Sequence, residues 1–192
     1  MTPALEDRPE SWPVTSTTDL FRDDWVMALR RDELHAPGHE ETFARWVLEH
    51  PGAVIVLAVD DDRRAFCLWQ YRHPAQRRFV ELPAGLLDAD HEEPVEAARR
   101  ELREEAGLEA ASWTPLGTTW SSPGISAEVM HFYLAQGLTE VSHDFERTHE
   151  EAEMTGGWVG LDDLLEAVLD GRVGDGPLVQ ALLLARARGL LR

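Results

Sequence analysis

Residues 85–108 read GLLDADHEEPVEAARRELREEAGL, and the run Arg100-Glu101-Leu102-Arg103-Glu104-Glu105-Ala106-Gly107-Leu108 within it decides how the rest is read. Pro94 suits the first position of a helix, where its missing N–H costs nothing, and Gly107 suits the position just past the end. Between them Glu96, Ala97, Ala98, Arg99, Arg100 and Leu102 are good helix formers. Helical spacing puts Val95, Ala98, Leu102 and Ala106 on one stripe, which predicts a core-facing side. Glu101, Glu104 and Glu105 share a second face, and Ala97 just above them leaves room. Carboxylates crowded in this way repel one another and destabilise a helix. A divalent cation reverses the sign of that effect. Hard oxygen ligands in a part-open site, shared with water and phosphate, are what Mg2+ prefers. Arg100, four residues before Glu104, can hold that carboxylate in place. Without a cation the same face is a solvated acidic surface.

The stretch resembles the Nudix box, in which a Gly and a Glu precede Arg-Glu-apolar-any-Glu-Glu-any-Gly-apolar. Arg100, Glu101, Leu102, Glu104, Glu105, Gly107 and Leu108 match it, and Glu92 stands at the right distance before Arg100. One departure is that 6 residues rather than the usual 5 separate Gly85 from Glu92. The extra residue falls in the Asp88-Ala89-Asp90-His91 loop, where insertion is cheap and leaves the helix in register.

Further matches resemble the ADP-ribose pyrophosphatase branch of that family, the actinobacterial members most of all. They are Gln70-Tyr71-Arg72, Glu81-Leu82-Pro83-Ala84-Gly85, and Pro123 placed 16 residues after Gly107. In the loop Ser122-Pro123-Gly124, Ile125 and Ala127 depart from that branch's more usual Phe and Asp. The resemblance covers about residues 22–190. It implies an α+β Nudix fold, a mixed β-sheet core sandwiched between helices, with an N-terminal strand region exchanged across a homodimer. It also implies splitting of ADP-ribose to AMP and ribose 5-phosphate with Mg2+, or Mn2+ in its place.

By the same resemblance the backbone carbonyl of Ala84 joins Glu101 and Glu105 as metal ligands, with Glu104 a further one directly or through water. Arg45 and Arg72 would meet the substrate, through phosphate or by stacking on adenine. Glu81 would accept a hydrogen bond from it, and Pro123 and Gly124 would line its loop. Glu104 and Arg100 join the catalytic group. The run His149-Glu150-Glu151-Ala152-Glu153-Met154 resembles the family's catalytic loop, with Glu151 at the position of the general base. Each of these has a plainer reading. Arg45 and Arg72 can be surface strand arginines, Pro123-Gly124 a turn, and the 139–153 segment a solvated acidic loop. Two other functions stay open, hydrolysis of another nucleoside diphosphate sugar and a non-catalytic nucleotide-sensing module. A module of that kind usually lacks a box carboxylate, and none is missing here.

Composition excludes several classes. The formal net charge over 192 residues is -18, and all 18 basic residues are arginine. With no lysine there is no Schiff-base chemistry and no Walker-type lysine on phosphate. A nucleic-acid binder would show a basic surface. An acidic protein acting on an anion must offset repulsion locally, with a bound cation and a few placed arginines. Cys67 is the only cysteine, so no disulfide can form within the chain. No apolar run approaches a membrane span, and MTPALEDRPE is not a secretory signal, so a cytoplasmic protein is expected.

Along the chain, residues 1–18 read as a flexible arm, 19–50 as a strand region for dimerisation, and 51–192 as the Nudix domain. Strands are expected at 25–31 and 42–48 around a Pro37-Gly38 turn, then at 53–59, 65–72, 79–82, 113–120, 129–134 and 158–159. Helices are expected at 94–106, from an Asp162 cap through Val168, and from Pro177 with Leu178, Leu182 and Ala185 inward. The apolar area of Trp25, Phe43 and Trp46 exceeds what a lone hairpin can hide, which points to a homodimer.

Overall fold

The computed structural model describes residues 5–23, 27–89, 91–142 and 153–191. The chain divides into two compact units, one of Met1–His50 with Ser122–Ala127 and one of Pro51–Ser121 with Glu128–Arg192.

The first unit is an antiparallel sheet of β1 (Val14–Arg22), β2 (Ala28–His35) and β3 (Thr42–Glu49), in that order. Pro37-Gly38 turns β2 into β3, and Gly38 takes φ 79, which few side chains tolerate. Register sets Leu34 against Phe43 and Asp32 against Arg45. Arg22 bridges Asp19 and Glu49, each at 2.9 Å, and Arg30 bridges Asp32 and Glu49. The 122–127 segment pairs with β3, where Leu48 donates to the Ile125 carbonyl and Ala127 to the Leu48 carbonyl.

Strand β1 corrects the reading of 1–18 as an arm, because pairing starts at Val14. All nine of its residues are exposed, so no apolar alternation marks it. Val14, Thr15, Thr17 and Thr18 are β-branched and suit an edge strand held by its neighbour's backbone. The strand expected at 25–31 begins instead at Ala28 and runs to His35, and Trp25 lies outside the described residues.

The second unit builds two sheets. One has β5 (Arg64–Arg72) between β10 (Thr155–Gly160) and β6 (Arg77–Glu81), all antiparallel. The other is mixed. Its order is β7 (Ala84–Leu86), β4 (Ala53–Ala58), β9 (Val129–Glu140) and β8 (Leu108–Trp120), and β4 runs parallel to β9. Helices are α1 (Pro94–Ala106), α2 (Leu161–Leu169) and α3 (Gly176–Ala187).

Alternation along β4 serves both faces. Val54, Val56 and Ala58 pack with Ala97, Ala98 and Leu102 of α1. Ile55 and Leu57 pack with Leu164 of α2 and with Leu178, Ala181, Leu182 and Ala185 of α3. A strand buried on both faces reads as the continuous apolar run seen in the sequence. The result is the expected α+β fold, a mixed sheet between helices.

Several boundaries differ from expectation. Strand β8 begins at Leu108 rather than Trp113, and its pattern is broken by Pro115 and a register shift before Gly117. Strand β9 continues to Glu140, past the point where apolar alternation fades. Helix α2 is preceded by Gly160, and Asp162 lies in its first turn rather than capping it. Cys67 is fully buried in the core, and burial pushes its thiol up to about 12. No helix among the described residues is long and apolar enough to cross a membrane.

Candidate functional site

Helix α1 starts at Pro94 and ends where Gly107 turns left-handed at φ 64, its N–H donating to the Arg103 carbonyl. The carboxylate face is part-open, as a metal site requires, and is not a fully solvated acidic surface. Ala97 is fully buried in the cluster with β4, and Glu101 is only 9% exposed, with Gly85 of β7 directly against it. Glu104 and Glu105 are half-buried.

Gly85 is what lets β7 come so near. A Cβ added there would stand 2.0 Å from both Cδ and Oε1 of Glu101. No left-handed backbone is involved at this position, so the space for the carboxylate is the whole requirement. Gly85→Ala should therefore cost about 1–3 kcal/mol in a urea titration, the usual range for overpacking. Adding Glu101→Ala should restore most of that loss. Equal instability with and without Glu101 would show that the contact is not the cause.

Arg100 is the hub of the site. Its guanidinium donates to both Glu92 oxygens at 3.3 and 3.2 Å, to Glu101, to Glu104 at 3.4 Å and to the Leu86 carbonyl at 3.5 Å. The expected Arg100–Glu104 pair is thus one of several. Glu92 reaches Arg100 despite the extra loop residue, while Gly85 faces Glu101. Glu105 accepts the Ala84 N–H at 2.8 Å, which ties the helix to β7 at the proposed carbonyl ligand.

Burial pushes the Glu101 carboxyl up to about 7, against the pull of Arg100 and with Glu104 and Asp88 adding to the rise. Among the described residues no group of three His, Cys, Asp or Glu side chains is closed around a metal position. The donor chemistry nonetheless fits a hard cation. It offers carboxylate oxygens from Glu101, Glu104 and Glu105 beside a backbone strand, with one carboxylate nearly buried. A cation would compete with Arg100 and the Ala84 amide for these oxygens.

Arg72 and Glu81 form a two-pronged pair across β5 and β6, with Nε and Nη2 on the carboxylate at 2.6–3.2 Å. Glu81 is buried and holds the arginine, which leaves Arg72 half in solvent. Glu81 thus has a strong partner before any substrate arrives. Asp175, absent from the sequence reading, faces the same pair and caps α3 through the Leu178 N–H at 2.8 Å. Burial pushes its carboxyl up to about 6, Glu81 adding to the rise and Arg72 opposing it. Its signal was the Asp175-Gly176-Pro177 order, an N-cap followed by a helix-starting proline.

The remaining expected residues are in the first unit or beyond the described chain. Arg45 lies over the Phe43 ring at 4.4 Å and donates to the Ala44 carbonyl. Pro123 and Gly124 form an exposed turn closed by Ile125 and Ser126 on the Ser122 carbonyl. A Cβ at Gly124 would meet nothing within 4 Å. Glu151 lies outside the described residues, as do His149 and Glu150.

Residues 49–182 match the NUDIX domain, over two thirds of the chain and with this helix inside the match. The chain belongs to the Nudix family. Among similar Nudix proteins, an ADP-ribose pyrophosphatase of Mycobacterium tuberculosis is 41% identical over 173 residues, covering 90% of this chain and 83% of that protein. An ADP-ribose pyrophosphatase of Bacillus subtilis is 37% identical over 142 residues, covering 72% and 74%. A crystal structure of an ADP compounds hydrolase superposes with TM-score 0.76 over 96% of this chain and 98% of that one, at 21% identity. That likeness carries the Nudix fold.

Proposed function

We propose that this Nudix protein hydrolyses the diphosphate bond of ADP-ribose, giving AMP and ribose 5-phosphate, with Mg2+ as its metal and Mn2+ as the alternative. The observation that carries the reading is Glu101 pressed against Gly85 with Glu104 and Glu105 beside it. The two pyrophosphatase relatives support the substrate. Glu101, Glu104, Glu105 and the Ala84 carbonyl would hold the metal. Bound there, it would neutralise phosphate charge and lower the pKa of an attacking water.

The chain's own residues divide the other tasks. Arg100 keeps Glu101 and Glu104 in register through a fixed guanidinium, a positioning role more than a contact with substrate. Arg72, steadied by Glu81, presents its exposed edge to the substrate. Arg45, Pro123 and Gly124 would contribute to binding. Glu151 would take the proton from water. The test is incubation of the purified protein with ADP-ribose and Mg2+, resolving AMP and ribose 5-phosphate by chromatography. Release of inorganic phosphate or adenosine instead would overturn the reading. Ile125 and Ala127, which depart from the ADP-ribose loop, favour a second reading, hydrolysis of another nucleoside diphosphate sugar. A substrate panel compared by kcat/KM separates the two.

We also propose a cytoplasmic homodimer with exchanged N-terminal strands, in which residues 19–50 serve dimerisation. It neither binds nucleic acid nor enters a membrane. Phe21 and Trp46 are 61% and 52% exposed in the single chain, with Val14 and Leu20 also open. Such apolar area in one unit calls for a cover. Light scattering at micromolar concentration should give twice the chain mass, and a monomer there would rule the dimer out.

A further inference from the structure

We infer that Asp175 is a positioning residue for Arg72: beyond capping α3, its charge acts with that of Glu81 to hold the guanidinium in place while substrate draws on its free edge. This rests on the reading of Arg72 as a substrate contact. Register shows how far the arginine is stretched. Arg72 stands opposite Arg77 and Glu81 opposite Leu68, so the Arg72 side chain runs back along the sheet to reach Glu81. Its Nε and Nη2 are taken there, and among the described residues Nη1 makes no hydrogen bond. Nη1 is therefore the edge left for an anion. Carboxylates act on this guanidinium from three elements, Glu81 on β6, Glu105 on α1 and Asp175 before α3. Among the described residues only Glu81 bonds to it directly.

Capping alone does not call for a charge at Asp175. One oxygen, Oδ2, accepts the Leu178 N–H at 2.8 Å, and Asn or Ser caps a helix as well as Asp does. Asp costs more here, because burial disfavours its charged form and Glu81 repels it. The N-terminus of α3 offsets part of that cost. Arg72 offsets more of it, as the cation that faces Asp175. A diphosphate would pull Arg72 away from Glu81, and a half-exposed arginine held by one carboxylate yields easily. A second negative charge on the α3 side raises the cost of leaving.

The test uses ADP-ribose and Mg2+ and compares Asp175→Asn, which keeps the cap and removes the charge, with Asp175→Ala, which removes both. Each is made in the wild type and in an Arg72→Ala background. Asp175→Asn should unfold at or above the wild-type Tm yet raise KM roughly 3- to 10-fold with kcat unchanged, the lower part of the range by which neighbouring groups couple. Asp175→Ala should raise KM equally and also lower Tm through loss of the cap. With Arg72→Ala present, Asp175→Asn should cost almost nothing more, because the group it positions is gone. A wild-type KM in Asp175→Asn would make the residue a cap alone and overturn the inference. A lowered KM would overturn it too, since Asp175 would then merely repel the anion. So would an equal rise in both backgrounds. An impaired Arg72→Ala beside a normal Asp175→Asn removes this inference alone. Normal KM in Arg72→Ala removes the substrate contact and this inference together. Should Asp175→Asn fail to fold, Asp175→Ser, another uncharged cap, decides by the same comparison.

Discussion

Glu101→Gln is expected to lower kcat on ADP-ribose by roughly 10³-fold, and Glu105→Gln by a similar factor. A cation held by these residues would supply several kcal/mol of charge stabilisation, and about 4 kcal/mol corresponds to that fold-change. The amide keeps the size of the carboxyl but loses the charge that would hold the metal. The fold should survive, since Glu101 is nearly buried among Glu104 and Asp88, and its charge is a cost to the metal-free chain. Thermal unfolding without metal should therefore give a Tm equal to or above that of the wild type. Mg2+ should raise the Tm of the wild type, and that rise should shrink or vanish in the variant, because a ligand stabilises through its affinity for the folded state. Near-normal turnover at low Mg2+ in either variant would remove that residue from the metal site.

Glu151→Gln is the second large effect. The attacking water must lose a proton, and carboxylates already bound to cations accept one poorly. A base from outside the helix is the better candidate. Replacing it should cost roughly 10²–10⁴ in kcat, the usual worth of a general base. KM and metal dependence should change little. Glu150→Gln should cost much less. Equal impairment of the two variants, or greater sensitivity at Glu150, would reassign the base.

The parts of this protein legible from residues alone were those set by local rules. Pro94 and Gly107 bound α1 as expected, since a helix start and a left-handed stop are local events. The continuous apolar run of β4 announced a strand covered on both faces. Strand β1 was not legible, because its nine exposed residues carry no alternation and pairing with β2 alone makes it a strand. At the site, helical projection placed the glutamates on one face but could not say what lies opposite. Gly85, distant in sequence by 16 positions from Glu101, turns that face inward. The Arg72–Glu81 pair and Asp175 were hidden for the same reason, since three separate elements meet there.

The interior thiol of Cys67 gives the experimenter a clock. Fully enclosed and held protonated, it should be silent toward maleimides in the native state and reactive once the core opens. The labelling rate under native conditions would then report how often the core around β5 opens, from one atom and without mutation. Added Mg2+ should slow that rate only if the cation grips a folded helix face, so the same trace reads metal occupancy without any turnover.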